Sequence, residues 1–143
     1  MRRLKTRAQF QSLLASPIVA RTAHFAIHRQ SLNPAKLVAS VDGSARSEQP
    51  LFPSQDLWLG AMVPKRWARR AVTRNLFKRQ IYLVSQLLEQ RTPIAAHLVR
   101  LRAEFDRQQY ASAVSASLRR ALRAELLQLF EQAAVSPVKG ARP

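Results

Sequence analysis

The sequence predicts an α+β domain, a small central sheet with helices. Three observations carry this. A capping-box signal opens a short amphipathic helix near the N-terminus, two long stretches repeat apolar residues with helical period, and three short apolar or alternating runs between them read as strands. The resulting order is helix, strands, helix, strand, helix. With the helices on one side of the sheet, the other face stays open. At 143 residues the chain fits one domain with a modest core. Its predicted extent is 1–135, with a long loop at 31–56 and a disordered basic tail at 136–143.

The elements follow in order. Thr6-Arg7-Ala8-Gln9 has the form of a capping box, with Thr6 as N-cap and Gln9 three residues on. Phe10, Leu13 and Leu14 make one apolar face before Ser16-Pro17 stops the turn, so a helix is predicted over 7–15. His24 to His28 alternates, with Phe25 and Ile27 on one face and His24, Ala26 and His28 on the other. Residues 31–56 carry Ser, Asn, Pro, Asp and Gly without a stable period. Leu57 to Val63 is a second strand, ended by Pro64. From Ala68 to about Arg91 a helix is predicted. Val72, Leu76, Leu83 and Leu87 share one flank, and Phe77, Ile81, Val84 and Leu88 lie beside them. Thr92-Pro93 breaks it, and Ile94 to Leu101 reads as a further strand. A last helix over 111–133 aligns Val114, Leu118, Leu122, Leu126 and Leu129.

Composition narrows the partners. Lys and Arg number 24 against 8 Asp and Glu, a formal charge of +16 and a pI near 11.9, which attracts polyanions. The chain has no cysteine, excluding disulfides, thiol nucleophiles and Cys-based metal sites, and fitting a reducing, cytoplasmic setting. No apolar run is long enough to span a bilayer. The acid-poor start through residue 41 has the composition of a transit peptide, whereas a secretory signal would need an apolar core after Arg3 that is missing.

The charge is concentrated. From Lys65 to Arg79, seven of fifteen residues are Lys or Arg, and no acid occurs from Leu57 to Leu88. Arg74, Lys78 and Tyr82 follow at i, i+4 spacing with Asn75 and Arg79 beside them, opposite the apolar flank. A solvated charged face normally mixes signs. This one does not, and its self-repulsion is best relieved by a bound polyanion, so RNA or DNA is the favoured ligand. Arginine supplies flat paired donors that match phosphate oxygens.

Catalytic groups are scarce. None of the eight carboxylates has the spacing of a catalytic pair or metal cluster, and three glycines cannot make a phosphate loop. His24 and His28, on one strand face, are the nearest thing to an acid–base pair for RNA cleavage. Among aromatics, Phe10 and Phe25 could floor a groove for single-stranded nucleotides with His28 beside them, or could equally be core. Trp67 is open to two roles, stacking or anchoring the helix start.

Leu59-Gly60-Ala61-Met62-Val63-Pro64-Lys65-Arg66, then Arg69-Arg70-Ala71, then Arg74-Asn75-Leu76-Phe77-Lys78-Arg79, resembles the protein subunit of bacterial ribonuclease P. Leu4-Lys5 through Phe10 is similar to that family's opening helix, and Phe25 to His28 falls at its first long strand. The resemblance covers roughly residues 4–130 and argues against a transit peptide, because the acid-poor start aligns with the folded domain. It implies a fold like the second domain of ribosomal protein S5, with a left-handed βαβ crossover that departs from the usual handedness.

The same resemblance implies removal of the 5′ leader of precursor tRNA by a ribonucleoprotein whose RNA subunit is the catalyst. Mg²⁺ is then expected mainly on the RNA, with no protein metal site and no catalytic residue on this chain. The expected partners are the catalytic RNA subunit and precursor tRNA, with no membrane and no small-molecule ligand. By this resemblance Lys65, Arg66, Arg69, Arg70, Arg74, Asn75, Lys78 and Arg79 contact RNA. Phe10, Phe25, His28 and Tyr82 line a leader cleft. Three residues depart from the family pattern: Leu76 and Tyr82 stand where Arg is common, and His28 where Tyr is common. The alternatives are a ribosomal or RNA-chaperone protein, and a protein-only ribonuclease using His24 and His28.

Overall fold

The computed structural model describes residues 1–32, 51–105 and 116–135. The expectations for most of the 31–56 loop, for residues 111–115 with Val114, and for the 136–143 tail lie outside these. The elements are β1 (Arg2–Arg3), α1 (Arg7–Leu14), β2 (Ile18–Arg21), β3 (Phe25–Gln30), β4 (Trp58–Met62), α2 (Ala71–Leu87), a 3₁₀ turn (Glu89–Arg91), β5 (Ala96–Leu101) and α3 (Ala116–Ala134). The five strands form one mixed sheet in the order β1-β4-β5-β3-β2. β4 and β5 are parallel neighbours joined through α2, while β3 runs antiparallel to both β5 and β2.

The sheet is covered on both faces, not one. Side chains alternate across the pleat, and each face feeds its own apolar cluster. Phe25, Ile27, Leu59, Ala61, Val99 and Leu101 pack against Phe77, Ile81 and Val84 of α2 and Leu118, Leu122, Leu126 and Leu129 of α3. On the other face, Trp58, Ala96 and Leu98 pack with Leu4, Leu13 and Phe52, with Phe10 and Met62 at the margin. The single-sided expectation fails because α1 is too short for its apolar face to be matched to a sheet side from sequence. The far end of the predicted loop is also well anchored: Phe52 lies 5.6 Å from the Trp58 ring, and Gln9 donates to the Leu51 carbonyl at 2.9 Å.

Local chemistry explains the boundaries. Thr6 Oγ1 accepts from the Gln9 amide at 3.1 Å while Gln9 Oε1 accepts from the Thr6 amide at 3.1 Å, closing the predicted capping box. The predicted α2 face needs correction. Leu76, Phe77, Ile81 and Val84 turn inward with Gln80 and Ser85, but Val72, Leu83 and Leu87 are exposed. The inward stripe is centred on Phe77, Ile81 and Val84, and leucines on its rim add to the apolar pattern without reaching the core.

Three polar residues, the partly buried Glu125 and the buried Arg29 and His97, are held by specific partners. Glu125 of α3 accepts from the Thr22 hydroxyl, the His24 amide and the His24 ring at 2.6, 2.7 and 2.8 Å, fastening the β2–β3 hairpin to α3. Arg29 donates to the Ala133 carbonyl, in the last turn of α3, where a cation satisfies exposed carbonyls and opposes the helix dipole. Opposite it on β5, His97 is fully buried with Nε2 against the Pro93 carbonyl at 3.1 Å, and burial lowers its pKa from 6.5 to about 4.

That depression makes the fold acid-sensitive. The folded state binds fewer protons at His97 than the unfolded chain does, so this stability is present above pH 6.5 and is lost as pH falls toward 4. Urea titration should give about 2–3 kcal/mol less stability from this group at pH 4.5 than at pH 7. His97→Gln should remove most of that difference; an unaltered pH slope in the variant would refute the assignment.

Candidate nucleic-acid interface

The basic segment is held by a strand, a turn and a helix in succession. β4 ends before Pro64, whose carbonyl accepts from the amides of Trp67 and Ala68, both at 3.1 Å. The turn leaves Lys65 and Arg66 exposed. Trp67 packs half-buried on the main core, so it anchors the turn, and the Arg66 guanidinium lies 5.2 Å from its ring. Arg69 and Arg70 are exposed in the link to α2. Arg70 is the extended N-cap residue, with no side-chain cap bond and no acid in the first turn. Cations at the positive end of a helix oppose its dipole, so a bound anion is favoured there.

Arg74 does something different from its neighbours. Its Nη1 reaches back to the carbonyls of Ala68 at 3.1 Å and Arg69 at 2.8 Å, so it braces the link that carries Arg69 and Arg70. Asn75, Lys78 and Arg79 are exposed along α2. Together with Tyr82, Leu83, Gln86 and Arg3 they line an open concavity of about 470 Å³. Arg3 arrives from β1 and lies 3.9 Å over the Tyr82 ring, the stacked geometry of a cation–π contact. The Tyr82 phenol also hydrogen-bonds the backbone of Ala61, and burial raises its pKa. Sequence reasoning missed Arg3, since a two-residue strand leaves no periodic signal.

Two departures from the family pattern thus have structural consequences. Leu76 is 4% exposed and belongs to the core, so that position faces inward and takes no cation from the exposed face. At Tyr82, the ring lost a charge relative to Arg but holds Arg3 over the same surface.

The four residues expected in one cleft are divided among three places. Phe10 lies on the α1 face of the sheet, against Gly60. His28 is on that face too, two strands away in the row Gly60–Leu98–His28. Phe25 is instead wholly buried on the opposite face, its ring 6.2 Å from both Phe77 and Phe105, because strand alternation sends odd positions of β3 toward α2 and α3. Tyr82 belongs to the α2 concavity.

His24 and His28 do not form a pair. His24 precedes β3, stacks on Phe105 at 3.8 Å and is bonded to Glu125 on the α3 side. His28 faces the α1 side, with Nδ1 at 2.9 Å from the Ser16 carbonyl and Nε2 accepting from Arg100 Nε at 2.9 Å. Those roles define one neutral tautomer. Burial first, and then the Arg100 charge, hold its pKa below the ordinary histidine value despite the Ser16 bond. Arg100, half-buried beside Met62 in the register, is a cation on this face that the sequence reading did not single out.

The electrostatics stay one-signed around α2. Asp56 pairs with Arg2 at 3.1 Å, Glu89 with the N-terminal amine at 3.1 Å, and Glu131 with Arg91 at 3.8 Å, all away from the α2 concavity. Among the described residues no three His, Asp or Glu side chains are grouped to hold a metal ion. No described helix is long and apolar enough to cross a membrane.

These features define an α+β protein whose mixed sheet carries an exposed cationic surface on the unit running from β4 through the turn to α2. A family profile described as ribonuclease P matches residues 1–126, so the chain belongs to the ribonuclease P protein family. It is 34% identical over 134 residues to the ribonuclease P protein component of Ralstonia pickettii, covering 92% of this chain and 78% of that one. It is also 38% identical over 94 residues to the component from Burkholderia pseudomallei, covering 62% and 67%. The fold is similar to the Staphylococcus aureus RNase P protein, with a TM-score of 0.64 at 19% identity over 96% of this chain and 99% of that one.

Proposed function

We propose that this chain is the protein subunit of ribonuclease P, acting with a catalytic RNA to remove the 5′ leader of precursor tRNA. The carrying observation is the exposed cationic set Lys65, Arg66, Arg69, Arg70, Lys78 and Arg79 on one ordered strand–turn–helix unit, without a carboxylate among its residues. These side chains and Asn75 contact phosphates of the catalytic RNA, and Arg74 positions the link between them. The α1 face of the sheet receives the single-stranded leader through stacking on Phe10 and Met62 and one phosphate contact from Arg100, which the buried His28 holds in place. Chemistry resides on the RNA, and Mg²⁺ supplies its Lewis acid there.

The protein-only alternative is disfavoured by geometry, since both nitrogens of His28 are engaged and His24 lies on the other side of the sheet. Titrating the full chain into the cognate catalytic RNA tests the proposal. It should give a saturable complex whose affinity falls steeply with salt. Equal affinity for an unrelated ribosomal RNA fragment would favour the chaperone-like alternative instead.

A further inference from the structure

Arg3 is brought to α2 by the two-residue strand β1. It pairs in register with Leu59, and paired residues share a face, so its side chain leaves the sheet on the side where Leu59 packs against α2 and α3. Arg2, one position back, belongs to the opposite face and pairs with Asp56. The backbone on either side of Arg3 is fixed: the Arg2 amide donates to the Leu57 carbonyl at 2.8 Å and the Leu4 amide to the Leu59 carbonyl at 2.9 Å. β1 thus holds a cation at a set point on the sheet edge.

The guanidinium meets an aromatic ring there. Arg3 Cζ lies 3.9 Å from the centre of the Tyr82 ring, and the hydrogen bond between the Tyr82 phenol and the Ala61 backbone fixes that ring as a platform. A stacked guanidinium uses its flat face, while its N–H donors lie in the plane and stay available at the edge. Among the described residues Arg3 has no carboxylate partner. It instead faces Lys78 and Arg79 across the open concavity of about 470 Å³. One wall of this groove comes from β1 and the other from α2. From Asn75 to Gln86 it follows about 16 Å of helix, room for several phosphates of one strand at roughly 3.4 Å each. Cations on both walls repel one another until an anion lies between them.

We propose that Arg3 is an RNA-binding residue, and that Tyr82 is the positioning residue that turns its guanidinium edge toward a phosphate of a strand lying between β1 and α2. This rests on the RNA-binding reading above. The test measures affinity of the full chain for its cognate catalytic RNA across a salt series. It compares Arg3→Gln, Tyr82→Leu, Tyr82→Phe and the double variant Arg3→Gln/Tyr82→Leu, with Lys78→Gln as the reference for a contact on the α2 wall.

Arg3→Gln should lower the slope of log affinity against log salt by about one. Tyr82→Leu should weaken binding about two- to five-fold, the scale of the lost stacking, and Tyr82→Phe, which keeps the ring, should lose less. In the Arg3→Gln background, Tyr82→Leu should cost almost nothing more. A slope lowered by Lys78→Gln but unchanged by Arg3→Gln would overturn this proposal and leave the RNA-binding reading standing. Unchanged slopes in both would remove both. Additive losses for Arg3→Gln and Tyr82→Leu would overturn the positioning role, because Tyr82 would then meet the RNA by itself. Arg3 is exposed, so Arg3→Gln should leave the urea midpoint nearly unchanged, which separates a lost contact from a lost fold.

Discussion

Replacing Lys78 and Arg79 together by glutamine should weaken binding of the catalytic RNA about fifty-fold at 0.1 M salt and lower the salt slope by about two. Each phosphate contact contributes roughly 0.9 to that slope, and both residues are exposed on α2 with no acid along the helix. Folding should be untouched, because neither side chain enters the core. Arg74→Ala should behave otherwise. Its guanidinium braces the carbonyls of Ala68 and Arg69, so its loss should loosen the link and weaken binding while lowering the slope by less than Lys78→Gln does. Equal slope changes for Arg74→Ala and Lys78→Gln would mean that Arg74 is a phosphate contact first and a brace second.

Gly60→Ala should destabilise the protein by about 1–3 kcal/mol, the range for overpacking a filled core. A Cβ there would stand 2.4 Å from Leu4 Cδ1, 2.8 Å from Leu4 Cγ and 3.0 Å from Phe10 Cε1. Leu4 is 6% exposed and cannot swing aside easily, so both residues must move off the sheet. Glycine at this strand position is what allows α1 to seat Phe10 against β4. Urea unfolding should show a lower midpoint at unchanged m-value, and Leu4→Ala combined with Gly60→Ala should cost less than the sum of the two. Strict additivity would show that the strain lies elsewhere.

Both predictions bear on what was legible in the sequence. α1 could be read almost to the residue, because Thr6 and Gln9 encode a reciprocal bond that depends on no distant partner. β4 and β5 were bounded by Pro64 and Pro93. β1 and β2 were not visible: two and four residues long, they exist through pairing with β4 and β3. On α2, Val72, Leu83 and Leu87 line one edge of the inward stripe without entering it, so counting apolar residues misassigned them. Nor did the pattern reveal Arg29, whose burial makes sense only once the end of α3 lies over β3.

The candidate interface was legible for a similar reason. Exposed cations at Lys65, Arg66, Arg69, Arg70, Lys78 and Arg79 betray themselves by the absence of acids between them, which is a purely local signal. Contacts between distant elements are not local. Arg3 meets Tyr82 across the sheet edge, Arg100 meets His28 from the neighbouring strand, and Phe25 is assigned to the core by the strand parity that also separates it from Phe10.

The central claim is that this chain holds RNA and that the chemistry lies on a catalytic RNA subunit. It is tested most directly by single-turnover cleavage of precursor tRNA at low Mg²⁺, with the cognate catalytic RNA alone, the protein alone, and both together. 5′-leader release is expected only in the combined reaction. Leader release by the purified protein alone, lost on replacing His24 or His28, would contradict it, as would a combined reaction no faster than the RNA alone.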